Sequence, residues 1–287
     1  MEFGRLITAM VTPFDDKLQI DWKQVEKLID YLVDEQQSDA LVVCGTTGES
    51  PTLDEEEKLE LFRFCVNYAK GRCKIIAGTG SNDTKHSIHL SKEAEKLGVD
   101  GLLLVAPYYN RPSQEGLYQH FKAIAEAVNV PVLLYNVPGR TGVNITAETT
   151  IRLSHISNIA GTKDCGDSNQ LTQIVRDAAP GFKVYTGEDS MTLLTMAVGG
   201  YGVISVASHV VGKEMKMMIG AYLDGDVKQA ARLHGKLLPV LQGLFVAPNP
   251  VPVKFALNHK GMRVGGVRLP LVEATEEQQQ FIKSLFN

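Results

Sequence analysis

Eight short, nearly continuous apolar runs, each followed by a stretch of helical periodicity, constrain this 287-residue chain more than any other feature. They lie at 6–10, 40–44, 74–78, 101–105, 132–136, 159–163, 183–187 and 202–206. Runs with no polar alternation belong to strands buried on both faces, as in a parallel sheet covered by helices. Eight such strands alternating with helices predict a (β/α)8 barrel.

The spacing predicts a helix from Asp21, with Gln24 completing a capping box, to about residue 36. A second begins near Thr52, with Glu55 as reciprocal partner, and carries Leu59, Phe62, Val66 and Ala69 at spacings of three and four. Others cover 84–97, 114–127, 147–155, 168–178 and 190–199, with caps at Thr146 and Asp189. Beyond the eighth strand only helices are expected, at 209–223, 226–245, 251–258 and 276–286, with "APNPVP" as a kinked connection. The expected division is a barrel over 1–207 and a helical region over 208–287.

A net charge of −4 without a basic run gives no footprint for nucleic acid. No stretch approaches the ~18–20 apolar residues of a membrane span. The start, "MEFGRLITAM", does not read as a signal peptide. Cys44, Cys65, Cys73 and Cys165 form no CxxC pair and read as free thiols in a reducing cytoplasm. The seven histidines show no HxxxH or HExxH spacing, and there is no phosphate-binding GxxxxGK[ST] or GxSxG elbow. The acidic run 54–57 suits a helix N-terminus better than a metal. No metal or cofactor is expected.

In a (β/α)8 barrel the site forms at the C-terminal strand ends. Lys163 ends the apolar run "IAGTK", where a buried ammonium is costly. A lysine poised near neutral pH must lose roughly three pKa units, about 4 kcal/mol. Its neutral amine is then a nucleophile able to form a Schiff base with a ketone. The plainer alternative is a strand-end lysine that snorkels to solvent or pairs with Asp164. "GTTGES" supplies Thr46, Thr47 and turn N–H groups suited to a small carboxylate, or is an ordinary strand-to-helix turn. Tyr135 ends the fifth strand and can shuttle a proton along a chain of hydroxyls, or serve as a core tyrosine. Arg140 suits a second carboxylate, or a surface ion pair. The tandem Tyr108–Tyr109 reads as an interface pair.

Taken together, "GTTGES", "PYYNRPSQEGLYQHF", "YNVPGRTG", "GTKDC" and "GVISV" resemble the dihydrodipicolinate synthase branch of the pyruvate-dependent class I aldolases, from Leu6 to the C-terminus. The resemblance implies a reaction. Pyruvate condenses with Lys163 to a Schiff base, and the derived enamine attacks the aldehyde of L-aspartate 4-semialdehyde. Transimination then releases 4-hydroxy-tetrahydrodipicolinate, on the route to diaminopimelate and lysine. It implies Tyr135 as proton donor and acceptor, with Thr47 and Tyr109 as relay partners and Tyr109 reaching in from an adjacent subunit. Thr46 and Thr47 would hold the pyruvate carboxylate and Arg140 the carboxylate of the semialdehyde. Gly187 and Ile204 would line the pyruvate pocket. It further implies a cytoplasmic homotetramer built from tight dimers.

One departure bears on regulation. Lysine-inhibited relatives use two histidines and a glutamate beside serine, asparagine and tyrosine. Here Ser50, Asn82 and Tyr108 match, but Glu55 and Lys58 replace the histidines and His86 the glutamate. Weak or absent lysine inhibition is expected. The competing readings are a sibling sugar-acid aldolase using the same lysine, and a silent barrel that only binds a 2-oxo acid.

Overall fold

A computed structural model of the chain describes residues 2–286. Eight parallel strands close into one barrel in chain order. They are β1 (Leu6–Ala9), β2 (Ala40–Val43), β3 (Lys74–Gly78), β4 (Gly101–Val105), β5 (Val132–Asn136), β6 (Ile159–Asp164), β7 (Lys183–Thr186) and β8 (Gly202–Ser205). β8 closes the ring on β1, with Ile204 opposite Ile7. The expected (β/α)8 barrel is the fold.

Side chains alternate across each strand. Ile7, Val42, Ile76, Leu103, Leu133, Tyr135, Tyr185 and Ile204 share one buried cluster inside the ring. Their neighbours Leu6, Leu41, Ile75, Leu102, Leu134 and Val203 join the larger cluster beneath the helices. Both faces of every strand are dry, which is why the sequence shows apolar runs and not polar alternation.

The outer layer comprises α1 (Trp22–Asp30), α2 (Glu55–Ala69), α3 (Thr84–Lys96), α4 (Gln114–Ala125), the single turn α5 (Pro138–Thr141), α6 (Ala147–Ser154), α7 (Ser168–Asp177), α8 (Thr192–Ala197) and α9 (Ser208–Leu223). α10 (Val227–Gly243), α11 (Val251–His259) and α12 (Glu276–Ser284) follow. The boundary expected at 207 falls in the turn after β8. α9 packs on β1, and α10 packs on α9.

α1 starts at the expected Asp21 cap, though without the full capping box, and two other helix starts differ from expectation. Asp21 accepts from Gln24 N, but Gln24 returns no bond, and beyond α1 the residues Tyr31–Glu35 widen into a π-helical turn. α2 begins at Glu55, not Thr52, because Pro51 and the extended Leu53 hold Ser50–Thr52 in a separate 3₁₀ turn. The capping box is made by Asp54 and Glu57. Asp189 caps a different turn: its Oδ2 accepts from the N–H groups of Val206 and Ala207, after β8, at 3.1 and 2.9 Å. Thr146 caps α6 as expected.

Candidate active site

Lys163 is 5% exposed and lies opposite Tyr135 on β5 and Tyr185 on β7, both inward-facing. Its inward aim depends on an irregularity: Ile159 pairs with Val132, but Gly161 pairs with Leu133, so Ala160 is an extra residue in β6. Without it Lys163 would stand level with Asn136. A bulge of this kind re-aims every later side chain of its strand. The Lys163 Nζ lies 4.4 Å from the centre of the Tyr135 ring.

Asp164 does not neutralise this lysine. Its carboxylate accepts from Asn136 Nδ2, Gly166 N and Gln170 Nε2. Burial raises the Asp164 pKa, against those hydrogen bonds. Among the described residues no carboxylate forms an ion pair with Lys163. The snorkelling alternative also fails, since the side chain is buried.

Two residues shape the space around the amine. A β-carbon at Gly187 would come within 2.8 Å of Lys163 Cε and closer still to Cys165 Sγ. Ile204 is fully buried on the inner face of β8. Burial pushes the Cys165 thiol up to about 12, so it stays protonated beside the lysine.

The "GTTGES" turn leaves β2 through Cys44, which adopts a left-handed φ of 55°. Glu49 is left-handed as well, at 58°. Thr12 Oγ1 donates to Gly48 O at 2.7 Å and fastens the turn to the loop after β1. Thr47 is 2% exposed, and its Oγ1 accepts from Asn249 Nδ2 at 2.9 Å. Glu49 Oε1 pairs with Lys254 Nζ at 2.9 Å, and Oε2 accepts from Arg268 N at 2.9 Å. Burial pulls Lys254 down to about 8, even with Glu49 beside it. Asn249, Lys254 and Glu49 escaped the sequence reading. The signal was a lysine inside the apolar "VPVKFAL".

Tyr135, Thr46 and Arg140 line a cleft of about 740 Å³ above the barrel mouth. The same cleft continues to Ser50, Lys58, Asn82, His86 and Tyr108. Arg140 sits exposed on α5, and none of the ion pairs among the described residues includes it. Glu55 faces His89 Nε2 at 2.9 Å and His86 Nδ1 at 3.6 Å. Tyr109 is left-handed, at a φ of 71°, and 90% exposed. Among the described residues no hydrogen bond joins the hydroxyls of Thr47, Tyr135 and Tyr109. The structure thus brings Lys163 together with Tyr135 and Gly187, and Tyr135 with Thr46 and Arg140, at one end of the barrel, while Thr47 turns its hydroxyl to Asn249, Ile204 lies in the inner cluster and Tyr109 is exposed.

Among the described residues no group of three or more His, Cys, Asp or Glu side chains could hold a metal. No helix of the described residues is long and apolar enough to cross a membrane.

The profile of the dihydrodipicolinate synthetase family matches residues 2–287. A 4-hydroxy-tetrahydrodipicolinate synthase of Moorella thermoacetica is 56% identical over 98% of this chain and 97% of its own. The crystal structure of dihydrodipicolinate synthase DapA-2 from Bacillus anthracis superposes with a TM-score of 0.97 at 52% identity, covering 99% of this chain and 98% of that one. A dihydrodipicolinate synthase from Cyanidioschyzon merolae, solved with lysine bound, gives 0.96 at 44% identity over 99% of this chain and 97% of that one. Likeness of this extent, on a barrel that buries a lysine at its mouth, means that the chain belongs to the dihydrodipicolinate synthetase family, lyases of the class I aldolase type.

Proposed function

We propose that this chain condenses pyruvate with L-aspartate 4-semialdehyde to 4-hydroxy-tetrahydrodipicolinate. The observation that carries the reading is Lys163: inward, dry and without a carboxylate partner among the described residues, with Gly187 leaving room beside it.

The pyruvate carboxylate lies against Thr46 and Thr47. The Lys163 amine adds to the ketone carbon, and loss of water gives the Schiff base. A proton leaves the pyruvate methyl group, forming the enamine, which attacks the aldehyde carbon. Tyr135 carries protons to and from the reacting oxygens, passing them by way of Thr47 and a Tyr109 contributed by a neighbouring subunit. Arg140, exposed at the rim, receives the carboxylate of the semialdehyde. Attack by the semialdehyde's own amine displaces Lys163, closes the ring and restores the enzyme.

The exposed Tyr108 and Tyr109 support assembly as a tight dimer in which each chain completes the other's relay, with two such dimers forming a tetramer. A cytoplasmic setting accords with four free thiols. The division into a barrel over 1–207 and a helical region over 208–287 is part of the same reading. A steady-state assay with pyruvate and L-aspartate 4-semialdehyde tests the proposal. Turnover is expected, and turnover only with sugar-derived aldehydes would replace the reading with that of a sibling aldolase.

A further inference from the structure

We propose that Asp164 is a positioning residue: through Asn136, Gln170 and Asn144 it fixes the loop that carries Arg140, and so sets how well the second substrate is held. The proposal rests on the reading of Arg140 as the receiver of the semialdehyde's carboxylate.

Asp164 and Asn136 follow Lys163 and Tyr135 on their strands and pair in the same register. Side chains alternate along a strand, so these two point behind the barrel wall while the lysine and the tyrosine point in. Both are fully buried. Among the described residues every hydrogen-bond partner of the Asp164 carboxylate is a neutral donor: Gly166 N at 2.6 Å, Gln170 Nε2 at 3.0 Å and Asn136 Nδ2 at 3.2 Å.

A carboxylate can only accept, so it decides which end each neighbouring amide presents. With their nitrogens turned to Asp164, Asn136 and Gln170 must point their oxygens elsewhere. Asn136 Oδ1 accepts from Ile145 N at 2.9 Å, and Gln170 Oε1 accepts from Asn144 Nδ2 at 2.8 Å. Asn144 Oδ1 in turn accepts from Asn136 Nδ2 at 2.7 Å. The polarity of the whole set follows from the one carboxylate.

Residues 144 and 145 end the loop that begins at Val137, directly after Asn136. The loop is therefore closed at its neck, with the Asn136 side chain joining its start to its end. Between lies α5 with Arg140, whose N–H and that of Thr141 donate to Val137 O at 2.9 and 3.1 Å. A short turn held in this way takes its position from its neck. Where packing alone is needed, apolar side chains of the same shape serve as well as buried polar ones.

The test measures Asp164→Asn and Asn144→Ala. The first keeps the shape but sets an amide among donors, and the second removes the far grip without touching the strand of Lys163. Each should raise the KM for L-aspartate 4-semialdehyde about tenfold, with the KM for pyruvate within about threefold of wild type and Lys163 still trapped by pyruvate and borohydride. In an Arg140→Ala background, adding Asn144→Ala should raise the semialdehyde KM less than about twofold. Asn144→Ala and this cycle decide if Asp164→Asn fails to fold by circular dichroism. A wild-type semialdehyde KM in folded Asn144→Ala would overturn the proposal, as would an equal rise in both KM values or multiplying penalties in the cycle. Arg140→Ala with a wild-type semialdehyde KM would instead overturn the reading of Arg140, and this proposal with it.

Discussion

Lys163 and Tyr135 stand directly opposite each other on β6 and β5, with the lysine nitrogen 4.4 Å from the ring centre. The extra residue Ala160 places them so. In the regular register the inward position opposite Tyr135 would fall to Thr162. A one-residue slip sends alternate side chains to opposite faces, so the bulge decides whether the barrel mouth holds an amine or a hydroxyl.

Gly187 is expected to tolerate no side chain. An added methyl would collide with Lys163 Cε at 2.8 Å and with the Cys165 sulfur. Gly187→Ala should lower kcat at least about tenfold while destabilising the fold by about 1–3 kcal/mol. Steady-state kinetics and thermal unfolding check this, and an alanine variant with wild-type kcat would contradict it.

The Glu49–Lys254 pair is buried to within a few per cent, with side-chain exposures of 1% and 2%. Lys254→Met leaves the Glu49 carboxylate buried and deprived of its charged partner, at a cost of about 3–5 kcal/mol. Glu49→Gln in the same background should recover part of that loss. Urea unfolding of both variants gives the answer, and equal stabilities would show that the pair is not coupled.

His209 is fully buried, with Nε2 accepting from Val11 N at 3.1 Å and Nδ1 against Val206 O at 2.8 Å. Burial pushes its pKa down to about 4 from 6.5. Between those values the unfolded chain holds the proton that the folded chain refuses, so stability falls as the pH falls through this window. The loss due to this group between pH 7 and 4.5 is on the order of 2 kcal/mol. Asp164 and Asp189, both raised by burial, act in the opposite sense and offset part of it. His209→Gln keeps an acceptor for Val11 but removes the titration. Its urea midpoint should therefore decline less steeply with acid than that of wild type, and identical slopes would refute the assignment.

Free lysine should inhibit weakly. Lys58 lines the lateral part of the cleft beside Ser50, Asn82 and Tyr108 and meets an incoming ammonium with like charge. Glu55 is already engaged with His86 and His89. A titration of L-lysine to 5 mM should reduce the rate less than about twofold, since a coupling energy under ~0.4 kcal/mol is all that such a pocket supports. Half-inhibition at low millimolar lysine would contradict this.

Some of this architecture is plain in the sequence. Apolar runs such as "LLLV" and "GVIS" lie near the positions where barrel strands form, because both faces of each strand are dry. Lys163 stands out because an ammonium ends such a run. Lys254 carries the same signal within "VPVKFAL", but its partner Glu49 is 205 residues away, and no local pattern announces so distant a pair. The Thr47–Asn249 bond is hidden for the same reason. Local rules also misplaced the start of α2, where Asp54 takes the cap in place of Thr52 because Thr52 is held in the 3₁₀ turn with Pro51 and the extended Leu53 separates it from the helix. Asp189 read as a helix cap from its position, yet it caps the turn after β8, a partnership that only closure of the barrel creates. The bulge at Ala160 has no signature beyond its small side chain.

The most direct measurement is borohydride reduction of the protein in the presence of pyruvate, followed by mass analysis of the peptide that carries residue 163. One reduced pyruvate on Lys163, and none after Lys163→Ala, is the predicted result. An unmodified Lys163 in a folded wild-type chain, or an adduct on another lysine, would contradict the account.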